Sequence, residues 1–388
     1  MTMRKGQKNR RRPKDMMLPL ALACVLAVSL LLPACGSRLS GDDEPVKSIK
    51  VGVTIYDEFD TFIGILSERF TTLVRETEQR EGITITVQLE SANGDQFLQN
   101  NQVESFIENE CDVICVNLVD RTDATVIIDK AEAADIPVIF FNRELVAEDL
   151  ERASNLYYVG APAFESGRMQ GDIAADICRA DFDKVDKNGD GVLEYVMLEG
   201  QAGHQDATLR TEWSVKTLIS EGFEVQKLED EIANWVRSQA ETKMTQWLAA
   251  YGAAAKSADD KSTDDSAGDS ADDSAGEIEI VFSNNDEMAL GAIDALKKSD
   301  IPRVQWPVVI GIDGTPGGLE AVMAGEMAGT VFNDGFGQSE ALLALVRYTT
   351  DGTAIPSKFK LESGKYIRIP YQPITKDNAS EFMKLYEG

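Results

Sequence analysis

The stretch "EIEIVFSNNDEMALGAIDALKKSD", residues 277–300, reads as a strand running straight into a helix. Ile278, Ile280, Val281 and Phe282 make its first part apolar and β-branched, as strands covered by other layers tend to be. "DEMALGAIDALKKSD" then has helical length and pattern, with Asn284, Asn285 and Asp286 at the junction. The same unit recurs along the chain. "IKVGVTI", "ITITVQL", "DVICVNL", "PVIFFN", "LYYVG", "EYVMLEG", "FEVQKL", "PVVIGID" and "AGTVFND" are further strands, separated by segments such as "TFIGILSERFTTLVRETEQREG", residues 61–82. Repeated βα order predicts an α/β fold of parallel, doubly wound sheets, with strands enough for two. A length of 388 residues allows two domains, each with its own core.

In open α/β sheets ligands bind outside the carboxyl ends of the strands. Six strands end in Asp, Asn or His: Asp60, with Phe62 beside it; Asn117; His204, followed by Asp206 and Arg210; the Asn284–Asp286 cluster; Asp313; and Asn333. Carboxylates that accept, with Asn, Arg and His that donate, suit a neutral ligand dense in hydroxyls. Phe62 and Trp235 can cover the apolar C–H faces of a sugar ring. Each polar residue alone reads equally as a helix cap; six coinciding strand ends point to a pocket. His204 is the only histidine. No Ser or Cys stands in a nucleophile-elbow setting for it to activate, and one His cannot build a His-rich zinc site.

Lys and Arg total 38 against 66 Asp and Glu, a formal charge of −28. The first 34 residues carry seven basic side chains and one acid, so their +6 hides a balance near −34 in the remainder. Such a surface repels nucleic acid and anionic lipid. The basic start, the 17-residue apolar run "MMLPLALACVLAVSLLL" and the small residue before Cys35 read as a secretory signal, residues 1–34. "LPAC" resembles a bacterial lipobox, which makes Cys35 the expected lipidated residue and 35–47 its anchor and tether. Cys111 and Cys115, four apart in "CDVICVNL", are expected on one strand face about 13 Å apart, as unbridged, buried small hydrophobes. Residues 253–276 hold seven Asp and two Lys among small residues and read as a disordered acidic insertion.

"DKNGDGVLEYVM", residues 186–197, begins like a calcium loop, with Asp186, Asn188 and Asp190 at positions one, three and five and Gly191 at the sharp turn. Position twelve is Met197, whose thioether cannot replace a bidentate carboxylate. The loop is therefore either a polar turn or a site whose last ligand comes from elsewhere.

From about Ile49 to Phe382 the chain resembles the periplasmic galactose/glucose-binding proteins of ABC transport systems. The resemblance is carried by "GVTIYDEFDTF", "VNLVD", "PVIFFNRE", "YYVG", "ESGRMQGD", "GHQDATLRT", "SNNDEMALGA" and "AGTVFND". It implies two doubly wound Rossmann-like domains joined by a three-segment hinge, 48–157 plus 334–369 and 158–333 plus 370–388. It places Asp60, Phe62, Asn117, His204, Asp206, Arg210, Trp235, Asn285, Asp313 and Asn333 on the family's sugar-binding positions. Phe62 and Trp235 would sandwich the ring, and Asp206 with Arg210 would hold the anomeric end. It also implies one calcium ion, held by Asp186, Asn188, Asp190, the Val192 carbonyl and Glu194, with Glu279 as the remote carboxylate.

The expected protein is a lipid-anchored, monomeric receptor on the outer face of the membrane. It closes over D-galactose or D-glucose and passes it to an ABC permease, with a chemoreceptor as a further candidate partner. A sugar-responsive transcriptional regulator would need a helix-turn-helix where this chain has a signal. A glycosidase would need two carboxylates flanking the scissile bond, a role open to Asp60, Asp206 and Asp313. A receptor of the same class for a pentose or a glycoside is the nearer alternative.

Overall fold

A computed structural model of the protein describes residues 48–251 and 277–387. The signal, Cys35 with its tether, and the acidic insertion lie outside the described residues. The first sheet contains β1 (Ser48–Ile55), β2 (Thr84–Ser91), β3 (Val113–Val116), β4 (Val138–Phe141), β5 (Leu156–Gly160) and β11 (Tyr366–Arg368). Their order is β11-β5-β4-β3-β1-β2, and every pair is parallel. The second contains β6 (Val192–Glu199), β7 (Glu224–Ile232), β8 (Ile280–Ser283), β9 (Val308–Ile310), β10 (Gly329–Phe332) and β12 (Gln372–Thr375). Its order is β12-β10-β9-β8-β6-β7, parallel except for β12 against β10. Helices cover both faces, so each sheet lies between two apolar clusters. These are the two doubly wound lobes expected from the sequence.

The chain crosses between lobes three times: after β5 into the helix Ala163–Ala180, after β10 into the helix Gly335–Asp351, and between β11 and β12. The first boundary needs correction. A break after Tyr157 would cut β5, which pairs with β4 from Leu156 to Val159 and with β11 as far as Gly160. The first lobe therefore extends through Gly160. β11 and β12 are absent from the strands read in the sequence. They are three and four residues long, and Pro373 sits in β12 at the sheet edge, where a missing N–H is tolerated.

Cys111 and Cys115 are buried and free, but they do not share a face. β3 starts at Val113, so Cys111 precedes the strand and packs with Phe106 and Ile114, whereas Cys115 packs on the opposite side of the sheet. Two helices of the second lobe approach closely because one is notched. A Cβ on Gly167 would lie 2.8 Å from the Arg210 carbonyl, and one on Gly171 2.5 Å from that of Ser214. The helix that leaves the first crossing is thereby seated against the helix Gln205–Ser220, which carries Arg210.

Candidate functional site

Strand ends of both sheets line one cavity of about 30 Å³, room on the order of a single water molecule. Tyr56, Asp60, Phe62, Asn142 and Arg143 come from the first lobe. His204, Asp206, Arg210, Trp235, Asn285 and Asp313 come from the second, with Asn333 at the crossing after β10. Nine of the ten residues expected at a sugar site thus line one space. The tenth, Asn117, is fully buried behind its wall. Its Oδ1 accepts from the Tyr56 N–H at 3.2 Å, and its Nδ2 donates to the Phe141 carbonyl at 3.1 Å and to Asn142 Oδ1 at 3.2 Å. It holds two residues that do line the cavity. Tyr56, Asn142 and Arg143 escape a sequence-only reading. Asn142 follows β4, so extending the strand-end rule to a seventh strand finds it; nothing local marks the other two.

Capping and pocket lining coincide. Asp60 Oδ1 caps the helix Thr61–Glu81 by accepting from Ile63 N–H at 2.9 Å, while its Oδ2 accepts from the Tyr56 hydroxyl at 2.6 Å. Asn285 caps the helix Asp286–Lys298 through Met288 N–H and donates to the Trp235 carbonyl at 3.3 Å. His204 caps the helix Gln205–Ser220, its Nδ1 accepting from Asp206 N–H at 3.0 Å. Burial, reinforced by Arg143, Arg210 and Arg121, pushes the His204 imidazole well below its usual range, so it is neutral. With Nδ1 accepting, the proton sits on Nε2, which is free to act as a donor.

Arg210 is the buried charge at the centre. It donates to the Asn284 carbonyl at 2.8 Å and to the Tyr371 hydroxyl at 3.1 Å, and lies 3.4 Å from Asp206 and 3.7 Å from Asp313. Burial opposes its charge, but Tyr371, Asp313 and Asp206 outweigh this and raise its pKa. Burial likewise raises Asp206 and, further, Asp313, with Arg210 opposing both shifts. Asp313 also accepts from Asn333 Nδ2 at 3.3 Å, and Asn333 Oδ1 accepts from Gln338 at 2.7 Å. The wall is a preorganised set of donors and acceptors around the Arg210 guanidinium, with that of Arg143 lining the same space from the first lobe.

Three lining residues have left-handed or neighbouring positive φ: Asn142 at 59°, Trp235 at 67° and Asp313 at 121°. Such strain persists only where surrounding packing enforces it, and it clusters at ligand sites. The Trp235 ring lies over Gly200, where any Cβ would run into it, and stands edge-on to His204 at 5.2 Å between centroids. Gly200→Ala should therefore displace Trp235 and weaken ligand binding by about tenfold or more, the scale of lost aromatic cover. Thermal stability should change little; calorimetric titration and melting curves check both.

Asp286 lies beneath the site and is fully buried. Its carboxyl accepts from the Thr315 N–H at 2.8 Å, the Thr315 hydroxyl at 3.2 Å and the Thr330 hydroxyl. Burial pushes it up to about 7 despite these bonds. A raised carboxyl binds its proton more tightly in the folded state, so its contribution is complete at low pH and is lost as pH rises from about 4 to 7. Melting temperatures measured across that window should fall with pH, and less steeply in Asp286→Asn.

The residues of the loop 186–194 and Glu279 also come together. Asp186 accepts from Gly189 N–H at 2.7 Å and Gly191 N–H at 2.9 Å, and both glycines have the positive φ the turn requires. Asn188 donates to Asp190 at 3.1 Å and to Glu194 at 3.0 Å, and Asp190 accepts from Val192 N–H at 2.8 Å. Glu279 reaches the loop from 85 residues beyond Glu194, accepting from Glu194 N–H at 3.0 Å and from Lys187 N–H. Among the described residues no three His, Cys, Asp or Glu side chains are already grouped for a metal ion, so a cation here also needs the Asn188 amide and the Val192 carbonyl. Two features suit one. Glu194 Oε2 is buried without a hydrogen-bond partner, and burial pushes both Glu279, to about 7, and Glu194 upward.

The sequence pattern of the periplasmic binding protein domain matches residues 52–354. The chain belongs to the periplasmic binding protein family. Within it, the chain is 30% identical over 367 residues to the D-galactose/methyl-galactoside binding periplasmic protein MglB of Haemophilus influenzae, covering 94% of this chain and 99% of that one. It is 32% identical over 328 residues to a putative rhizopine-binding protein of Rhizobium meliloti, covering 82% and 90%. A solved ABC transporter solute-binding protein from Bacillus halodurans, with bound myo-inositol, superposes with a TM-score of 0.66 at 26% identity, covering 88% of this chain and 99% of that one.

Proposed function

We propose that this cavity binds one hexose, D-galactose or D-glucose, between two closing lobes. The reading is carried by one observation: Asp60, His204, Asp206, Arg210, Asn285, Asp313 and Asn333 line the same space as Phe62 and Trp235. Hydroxyl-reading groups and ring-covering groups together match a pyranose. The relative that binds D-galactose and methyl-galactoside supports the choice of hexose. A cavity of about 30 Å³ is too small for a hexose, so the sugar enters only when the lobes part about the three crossings.

The family consists of sugar-binding transport receptors rather than enzymes, and the protein is an extracytoplasmic receptor of the ABC transport class. Among the described residues no helix is long and apolar enough to cross a membrane. Within this reading, Cys35 carries the lipid anchor, an ABC permease receives the closed form, and a chemoreceptor is a further candidate reader. The receptor acts as a monomer and holds one calcium ion through Asp186, Asn188, Asp190, the Val192 carbonyl, Glu194 and Glu279. Bound calcium would neutralise carboxylates that burial otherwise penalises.

Relatives named for rhizopine and xylitol binding favour a second reading, a receptor of the same class for another polyol or sugar. Titrating the protein with galactose, glucose, ribose and myo-inositol, followed by tryptophan fluorescence, separates the two. A response to either hexose at micromolar concentration is expected. A flat response to both hexoses overturns the hexose reading.

A further inference from the structure

The sugar cavity continues past His204. Arg143 and His204 also wall a second cavity, of about 270 Å³, between residues 119–122 of the first lobe and 201–205 of the second. Two guanidinium groups stand in its wall. Arg121 donates from Nε to the Glu144 carbonyl at 2.9 Å. Arg143, only 4% exposed, donates to the Val119 carbonyl at 3.0 Å and to Gln201 Oε1 at 2.9 Å, while its buried Nε has no acceptor.

Neither arginine is ion-paired with a carboxylate among the described residues. That is notable in a chain with 66 acidic side chains, where Arg152, Arg210, Arg237, Arg347 and Arg368 all are. The acids of the same wall are already engaged. Glu144 takes two nitrogens of Arg368 at 2.6 and 3.1 Å, and Asp120 Oδ1 takes the N–H and hydroxyl of Thr122 at 2.8 and 2.7 Å. Burial opposes the Arg143 charge, and the Tyr56 ring beneath it with the nearby Asp60 and Asp206 offsets this only in part; the planar guanidinium is the side chain best matched to carboxylate and phosphate.

We propose that the receptor takes a hexose bearing an anionic substituent, a carboxylate or phosphate ester lodged in the second cavity beside Arg121 and Arg143. This rests on the hexose reading and narrows its ligand. The ring occupies the space between Phe62 and Trp235, and the substituent leaves it on the His204 side, where the two cavities meet.

Calorimetric titration of the purified protein with galactose and glucose, their methyl glycosides, 1-phosphates and uronic acids, and inorganic phosphate tests it. The 1-phosphate or the uronic acid, whichever fits, should bind about tenfold or more tighter than the parent hexose, the scale of one charge-assisted hydrogen bond. The advantage should shrink as salt rises, and inorganic phosphate alone should not reproduce it. Arg121→Gln should remove the advantage while hexose affinity stays within about twofold. The salt dependence of the unaltered protein provides the same readout should that variant fold poorly. Hexose binding that exceeds binding of every anionic derivative overturns this proposal alone, as does equal weakening of all sugars by Arg121→Gln. Failure of every sugar to bind brings down the hexose reading with it.

Discussion

Replacing Asp206 with alanine should abolish hexose binding and leave the fold standing. Asp206 lies in the first turn of the helix Gln205–Ser220, buried, with its carboxylate 3.4 Å from Arg210. Burial raises its pKa, with Arg210 opposing the shift, so holding its charge costs folding free energy. Its removal leaves Arg210 bonded to Tyr371 and the Asn284 carbonyl, with Asp313 3.7 Å away, so the cation keeps partners. A hexose in the cavity would lose its strongest acceptors. Hydrogen bonds to charged groups contribute about 1.5–3 kcal/mol each, so two of them correspond to an affinity loss of at least about a hundredfold. Calorimetric titration together with melting curves measures both halves. Affinity within about threefold of the parent protein would remove Asp206 from the binding set.

Glu279→Gln carries the second large effect, on stability rather than binding. Glu279 is fully buried at the start of the strand leading into β8 and joins that strand to the loop of residues 186–194. A ligand that binds only the folded state stabilises by about 2.7 kcal/mol at a concentration a hundredfold above its Kd, and calcium would act in this way. Calcium should therefore raise the melting temperature of the parent protein by several degrees, and a chelator should reverse it. In Glu279→Gln the calcium-dependent rise should be nearly absent, with hexose affinity unchanged, because none of the loop's residues line the sugar cavity. A rise as large in the variant as in the parent would exclude Glu279 as a ligand.

The lobes were legible because alternating apolar runs and amphipathic segments are long enough to show a period, and because polar residues interrupt the chain at the strand ends. That rule reaches Asp60, His204, Asp206, Arg210, Asp313, Asn333 and the cluster that holds Asn285, all of which line one cavity, whereas Phe62 and Trp235 stand out only as aromatic rings. What it does not contain is the direction of a side chain. Asn117 ends its strand like Asn333, yet its amide turns to Tyr56, Phe141 and Asn142, contacts fixed by residues 24 to 61 positions away. Arg143 is invisible for the same reason, since its partners Tyr56, Val119 and Gln201 meet only in the folded molecule. β11 and β12 are too short for periodicity to mark, and the pairings to β4 and β11 that carry β5 through Gly160 form only in the folded molecule.

The bond from Arg143 to Gln201 joins the two lobes with protein atoms alone. Any such contact raises the fraction of sugar-free receptor that is already closed. Apparent affinity rises in proportion to that fraction, because less of the binding free energy is spent on closing the lobes. A permease that recognises closure would respond to the same fraction as if sugar were present. Gln201 therefore sits where sensitivity to scarce sugar and futile engagement of the transporter are set against each other, and strengthening or weakening this one hydrogen bond would move both together.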